Sequence, residues 1–311
     1  MERCPTAVRE VWPDYGAAVG RKPAFGIAIL AALWGASYLF VHVALRDFPP
    51  GALVWGRVTS GLVVVLVLAR ATGALAGLMA HWRPLAVTGI VQIAIPVALI
   101  AIGQQWIASS LAGVLNGSVP IFVALLAPVF DHGERAGLRR ALGIALGFAG
   151  VVAVYGIDVG TTGHAVLGAG CITLSSVFYA IGPLYSRRRL ADVKPLAVVT
   201  GLLASASLVT LPTALLDLPT HTPTLRGIGA LVVLGAGGTG LAFALYYAVM
   251  FRVGPGRASI VAYLIPLFSV SYGVTLLGEP LGKGVVVGLP LILVGSFVIS
   301  GSPALARPPA K

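Results

Sequence analysis

Arg57 poses the sharpest chemical question in this sequence. It stands in LVWGRVTSGLVVVLVLA, with no other charge between Asp47 and Arg70. A guanidinium stays protonated at any ordinary pH. Inside an apolar helix such a charge is costly and usually functional. Two roles fit the sequence. Arg57 faces a cavity that takes an anion, or it snorkels, since it lies about seven residues (~10 Å) from the nearer end of its run. Trp34, Ser37 and Tyr38 are spaced i, i+3, i+4 and share one helix face. Gln92, Asn116, Ser118, Tyr179, Tyr246 and Tyr263 are further polar or amphipathic groups inside apolar runs. Around one cavity these side chains would suit an amphipathic organic solute. Apart, they would serve as interhelical hydrogen bonds or interface anchors.

Little else could make or break bonds. No Asp or Glu lies deep inside an apolar run, so paired carboxylates are absent and an enzyme is not expected. His42, His81, His132, His164 and His221 fall near run ends or in connections, with no cysteine beside them, so neither a metal nor a cofactor is expected. Cys4 and Cys171 occupy regions too different to imply a disulfide framework. GAGGTG at 235–240 satisfies a dinucleotide fingerprint, but no acidic residue follows at about 20 positions. Small residues that let helices approach closely explain it better, as they do Gly143/Gly147 and Gly284/Gly288.

The elements that must position these groups are membrane helices. Of 311 residues, 58% are hydrophobic and 10% charged, with mean hydropathy +0.96. A soluble domain carries about 25% charged residues. Between Arg226 and Arg252 lie 25 uncharged residues, and a bilayer core takes about 20. Charge-poor runs predict ten spans, near 24–45, 50–69, 85–103, 110–130, 137–156, 164–185, 195–215, 227–250, 258–278 and 283–301. The fold class is therefore all-α, a membrane protein. With the N-terminus placed in the cytoplasm, 17 Lys and Arg fall on inside segments and only Arg46, Arg226 and Lys283 outside. That bias predicts both termini inside. The +11 net charge is thus a topology signal, not a nucleic-acid footprint. No signal peptide is expected, because the first 23 residues include Glu2, Glu10 and Asp14.

One device occurs twice. VPIFVALLAPVFDHGER ends the fourth run and IPLFSVSYGVTLLGEP the ninth. Pro120 aligns with Pro266, Phe122 with Phe268, and Gly133-Glu134 with Gly278-Glu279. Leu33, Tyr38 and Arg46 echo Leu174, Tyr179 and Arg187 more weakly. The chain reads as a cytosolic tail (1–23), two five-helix halves (24–156 and 164–301) and a second cytosolic tail (302–311). Five being odd, the halves would insert with opposite orientation, a frequent plan of secondary transporters. Each proline is expected to bend a helix beside a midplane cavity, or simply to kink it for packing. Each glutamate is expected to complement the N-terminus of the helix that follows it, or to act in gating.

These segments carry a family resemblance. LWGASYLF, the arginine in VWGRVTSGL, ASSLAGVLNGSVPIFVALLAP with its GER, and GPGRASIVAYLIPLFSVSYGVTLLGEPLGKG resemble the EamA family of the drug/metabolite transporter superfamily over residues 24–301. The resemblance implies a ten-helix transporter, often an exporter of amino acids, metabolites or drugs. Asp131-His132 departs from the apolar residues usual in the family there. The expected function is alternating-access export of a small organic metabolite across the cytoplasmic (inner) membrane. Its partners would be lipid and the small-molecule substrate, with a homodimer left open and no nucleic acid. A channel is the rival reading. With no acid or histidine near a span centre, facilitative transport or solute exchange is expected, although proton antiport is often proposed for such exporters.

Overall fold

The computed structural model describes residues 23–130, 137–159, 163–253, 258 and 261–300, and the elements among them are helices. They are α1 (Pro23–Ala44), α2 (Pro50–Ala71), α3 (Leu78–Gly103), α4 (Ser109–Phe130), α5 (Leu138–Val159), α6 (Gly163–Arg189), α7 (Pro195–Leu216), α8 (Leu225–Phe251), α9 (Val261–Leu277) and α10 (Lys283–Ser300). The first eight are long and apolar enough to cross a membrane, and the last two are shorter apolar helices. Glu134, Asp131 and His132 lie outside the described residues. The runs predicted at 85–103 and 164–185 extend in the structure to Leu78 and Arg189.

Local sequence sets the helix ends. Pro50 and Pro195 open α2 and α7, where the missing N–H has no intrahelical partner to lose. Val63, Val67, Leu142, Val152 and Phe297 face outward, while Gln92, Ser175, Ser176 and Thr239 are buried. That distribution suits surroundings of hydrocarbon, where polar groups must find partners inside the bundle.

Neighbouring helices meet as α2–α7, α5–α10, α1–α9, α4–α6, α3–α6, α1–α8, α3–α7, α2–α8 and α4–α9. Glycines allow the closest approaches. A Cβ on Gly295 would lie 2.5 Å from the Gly147 nitrogen, and one on Gly150 2.7 Å from the Gly288 carbonyl oxygen, so α5 and α10 touch backbone to backbone. In the GAGGTG run, Gly240 stands in the same relation to the Gly61 carbonyl, 2.7 Å away. The run is helical, as close packing requires.

Three spans widen into π turns, Ile90–Ala94 in α3, Ala236–Leu241 in α8 and Tyr155–Val159 at the end of α5. The first precedes Pro96, whose ring would clash with the carbonyl four residues back in a regular helix. The second contains three glycines. Such turns recur at functional sites.

The matched prolines behave differently from each other. Pro266 lies inside the continuous helix α9. In α4 the break falls at Gly117–Ser118, and Pro120 is the second residue of the segment Val119–Phe130. There its missing N–H costs nothing, so Pro120 starts a helix rather than bending one. The two devices touch, because a Cβ on Gly117 would lie 2.6 Å from Pro266 Cγ.

Candidate functional site

A cavity lies inside the bundle, mostly apolar with a few polar groups, the usual character of small-molecule sites. Trp34, Ser37, Tyr38 and Val41 of α1 line it together with Arg57, Gln92, Ile100, Asn116, Val119 and Val123. The chain from 163 onward contributes Tyr179, Pro183, Phe243, Tyr246, Ala258, Val261, Ala262 and Ile265. Eight of the ten polar or amphipathic groups singled out in the sequence thus converge on one space, Ser118 and Tyr263 being the exceptions. The α9 residues belong to its first turns, so the cavity reaches toward the end of the bundle where α9 begins.

Arg57 is 3% exposed. Its Nε donates to Thr239 Oγ1 at 2.8 Å, and Thr239 Oγ1 donates in turn to the Leu234 carbonyl at 3.2 Å. The snorkelling reading therefore fails: the side chain points into the bundle, toward α8, because the π turn brings Thr239 within reach.

The other groups are held with comparable definition. Trp34 packs its ring 5.2 Å from Tyr246 and 5.5 Å from Phe243, close to the tilted and edge-on geometries aromatic rings favour. Ser37 Oγ donates to the Leu33 carbonyl at 3.1 Å. Gln104 Nε2 ties α3 to α1 by donating to the Tyr38 carbonyl at 3.0 Å. Gln92 Oε1 accepts from the Tyr247 hydroxyl, which also pairs with Ser186 Oγ at 2.9 Å. Asn116, just before the break in α4, donates to Ser175 Oγ at 3.1 Å. Ser118 donates to the Leu115 carbonyl.

Tyr263 lies elsewhere. Its hydroxyl donates to the Ser296 carbonyl at 2.8 Å, and its ring borders an outer groove with Leu267 and Phe297. Pro120 and Pro266 are buried in helix contacts and do not line the cavity. Sequence reasoning missed Thr239, Phe243 and Pro183. Thr239 did carry a signal, as a lone polar side chain among glycines in an uncharged run.

At the opposite end of the bundle a carboxylate ties the turn after α9 to the start of α4. Glu279 Oε1 and Oε2 accept from the backbone N–H of Ser109 and Ser110 at 2.8 and 2.9 Å. Gly278, at φ +68°, makes the turn that presents this carboxylate. Partial burial raises its pKa, but the hydrogen bonds from Ser110 and Ser109 together outweigh that and hold it below the usual carboxylate range. The sequence-based expectation was that Glu279 complements the next helix. It caps α4 instead, while Asp158 caps α10 through the N–H groups of Gly284 and Val285 at 2.8 and 2.6 Å. Asp217 similarly accepts from Gly51 N–H at 2.8 Å. Asp47, accepting from the Thr224 hydroxyl at 2.6 Å, is held below its ordinary pKa chiefly by that bond.

The arrangement offers an amphipathic solute an apolar and aromatic lining with a few polar groups. Among the described residues no group of three or more His, Cys, Asp or Glu could hold a metal ion, and no carboxylate or histidine lines the cavity.

Residues 21–156 and 166–301 match the model of the EamA-like transporter family. An "uncharacterized inner membrane transporter YedA" of Escherichia coli strain K12 is 25% identical over 297 residues, covering 91% of this chain and 95% of that protein. A "probable amino-acid metabolite efflux pump" of Salmonella typhimurium strain LT2 is 25% identical over 293 residues, covering 90% and 95%. A solved crystal structure superimposes with TM-score 0.67 at 22% identity, covering 88% of this chain and 94% of that one, which establishes likeness of fold alone.

Proposed function

The chain belongs to the EamA-like transporter family, and from that premise we propose that it is an alternating-access exporter of a small organic metabolite in the cytoplasmic (inner) membrane. That it is a membrane transporter follows from the family. The export direction is supported by the relative named as an efflux pump, and the membrane by the relative named as an inner membrane transporter. The observation that carries the mechanism is the cavity itself. Residues of both halves line it, while at the far end the Glu279 carboxylate fastens the turn after α9 to the start of α4. A carrier requires a site closed toward one side at a time, whereas a pore requires a continuous path.

Ten spans in two inverted five-helix repeats, 24–156 and 164–301, complete the proposal. The helix neighbours support it. Exchanging α1–α5 with α6–α10 turns α1–α9 into α6–α4, α3–α6 into α8–α1 and α2–α8 into α7–α3, all of which are contacts. The π turns of α3 and α8 begin 146 residues apart, at Ile90 and Ala236, the same offset as Pro120 and Pro266. Both termini are then cytoplasmic. A reporter active only outside the cytoplasm, fused after Lys311, should stay silent. Activity there would sink the topology and the inverted repeat together.

Proteoliposome flux tests the mechanism. With exported solutes identified by mass spectrometry of medium from overexpressing cells, flux of those solutes should saturate and be accelerated by the same solute on the far side. Linear, unaccelerated flux would mean a pore. With no carboxylate or histidine lining the cavity among the described residues, a pH gradient alone should not drive uphill movement. Uphill movement under that gradient, lost in Glu279→Gln, would make Glu279 the coupling group.

A further inference from the structure

We infer that the transported solute carries a carboxylate that seats on Arg57, with an apolar or aromatic body lying against Trp34, Phe243 and Tyr246. This rests on the carrier reading and names its substrate class.

The charge balance of the cavity is the starting point. Arg57 brings a full positive charge to a space that, among the described residues, no Asp or Glu lines. A buried charge without a counter-ion is strongly disfavoured, and pairing is the usual remedy. Of the guanidinium donors, Nε is committed to Thr239. Among the described residues nothing accepts from the two terminal nitrogens. These lie in one plane at the end of the side chain and suit the two oxygens of a carboxylate. Thr239 fixes the rotation of that plane, since its own hydroxyl proton goes to the Leu234 carbonyl. The fork is thereby oriented before any ligand arrives.

The rest of the lining describes the other end of the solute. Trp34, Phe243 and Tyr246 form one aromatic wall, with Trp34 within 5.5 Å of both partners, and Val261 and Ile265 extend it as an apolar surface. Nothing in this wall could neutralise a second negative charge, so a monoanion fits and a phosphate dianion does not. An α-amino group is compatible, because an ammonium can rest on aromatic faces.

Thermal shift of detergent-purified protein tests this on the wild type first. The probes are 3-phenylpropionate, indole-3-propionate, phenylalanine and a straight-chain hexanoate. Each is compared with its own amide, with phenethylamine, and with inorganic phosphate. Carboxylates should stabilise the protein at concentrations at least about 30-fold lower than their amides. Arg57→Gln should abolish that preference, and Arg57→Lys, which keeps the charge but loses the fork, should retain part of it. Equal binding of acid and amide, preference for the amine, stronger stabilisation by phosphate, or no response to any carboxylate would each overturn the inference. The carrier reading fails separately, if the flux of exported solutes proves linear whatever their charge.

Discussion

Gly295→Leu should yield almost no monodisperse protein on extraction, whereas Gly170→Leu should extract like the wild type. Both positions are glycines in apolar helices, and helix propensity would favour leucine at each. The difference lies in what a side chain would meet. Beside Gly170 nothing lies within 4 Å. At Gly295 even a Cβ would sit 2.5 Å from the Gly147 nitrogen, 2.6 Å from the Gly143 carbonyl oxygen and 2.9 Å from the Gly147 Cα. Those obstacles are backbone, so no rotamer change relieves them, and α5 and α10 must move apart. Overpacking against movable side chains typically costs ~1–3 kcal/mol, so a backbone collision should exceed about 3 kcal/mol. Native proteins hold only ~5–15 kcal/mol in reserve, and helices in lipid depend on close packing for their association. Size-exclusion profiles and thermal midpoints in detergent decide it. A wild-type midpoint for Gly295→Leu would mean that the two helices do not approach this closely.

What the sequence could and could not show follows from the same physics. Helix positions were legible because water and hydrocarbon sort residues by composition alone, and of the ten charge-poor runs eight became helices long and apolar enough to cross a membrane and two became shorter apolar helices. The shared face of Trp34, Ser37 and Tyr38 was legible because it depends only on the helical repeat. Tyr263 illustrates the limit. It is the same residue type as Tyr246, in the same kind of run, yet it sits at the α9–α10 contact. Which face of a helix looks inward is set by its neighbours, and one sequence does not name them. Arg57 was ambiguous for that reason: its depth could be counted, but its direction depended on Thr239, 182 residues away. The glutamate motif was found, but its partner was assigned to the wrong helix. A carboxylate beside a helix start most cheaply serves that helix, and only the fold reveals that Asp158 already fills that place. The π turns left no periodic signal, since each displaces only a few residues. That the π turns of α3 and α8 share the offset of the matched prolines became visible only with the helices in hand.

Removing the charge of Glu279 should open the tied end of the bundle. The carboxylate accepts two N–H bonds at the start of α4, where the first N–H groups of a helix have no intrahelical partner and a negative charge complements the helix dipole. Glutamine keeps the shape but offers one carbonyl oxygen, so one N–H loses its acceptor and the charge assistance disappears. A loss of about 1.4 kcal/mol in this latch, within the ~0.5–2 kcal/mol typical of a helix cap, would shift a two-state equilibrium about tenfold. Val41 lines the cavity and is 1% exposed, which makes it a reporter. With Cys4 and Cys171 replaced by serine, Val41→Cys is labelled with a membrane-impermeant maleimide in vesicles of each orientation. In the Glu279→Gln background, labelling from the side on which Asp47 lies should rise about tenfold, with no comparable rise from the other side. Acidification should do the same to the wild-type latch. The Glu279 pKa is held below the usual carboxylate value of about 4.3. Its stabilising contribution is therefore complete above that value and is lost as pH falls through the lower, folded-state value. Labelling at pH 6–7 should be insensitive to pH in both proteins, and stability below about pH 4 should fall in the wild type more steeply than in Glu279→Gln. Unchanged labelling from the Asp47 side would show that Glu279 fastens a helix end without governing access to the cavity.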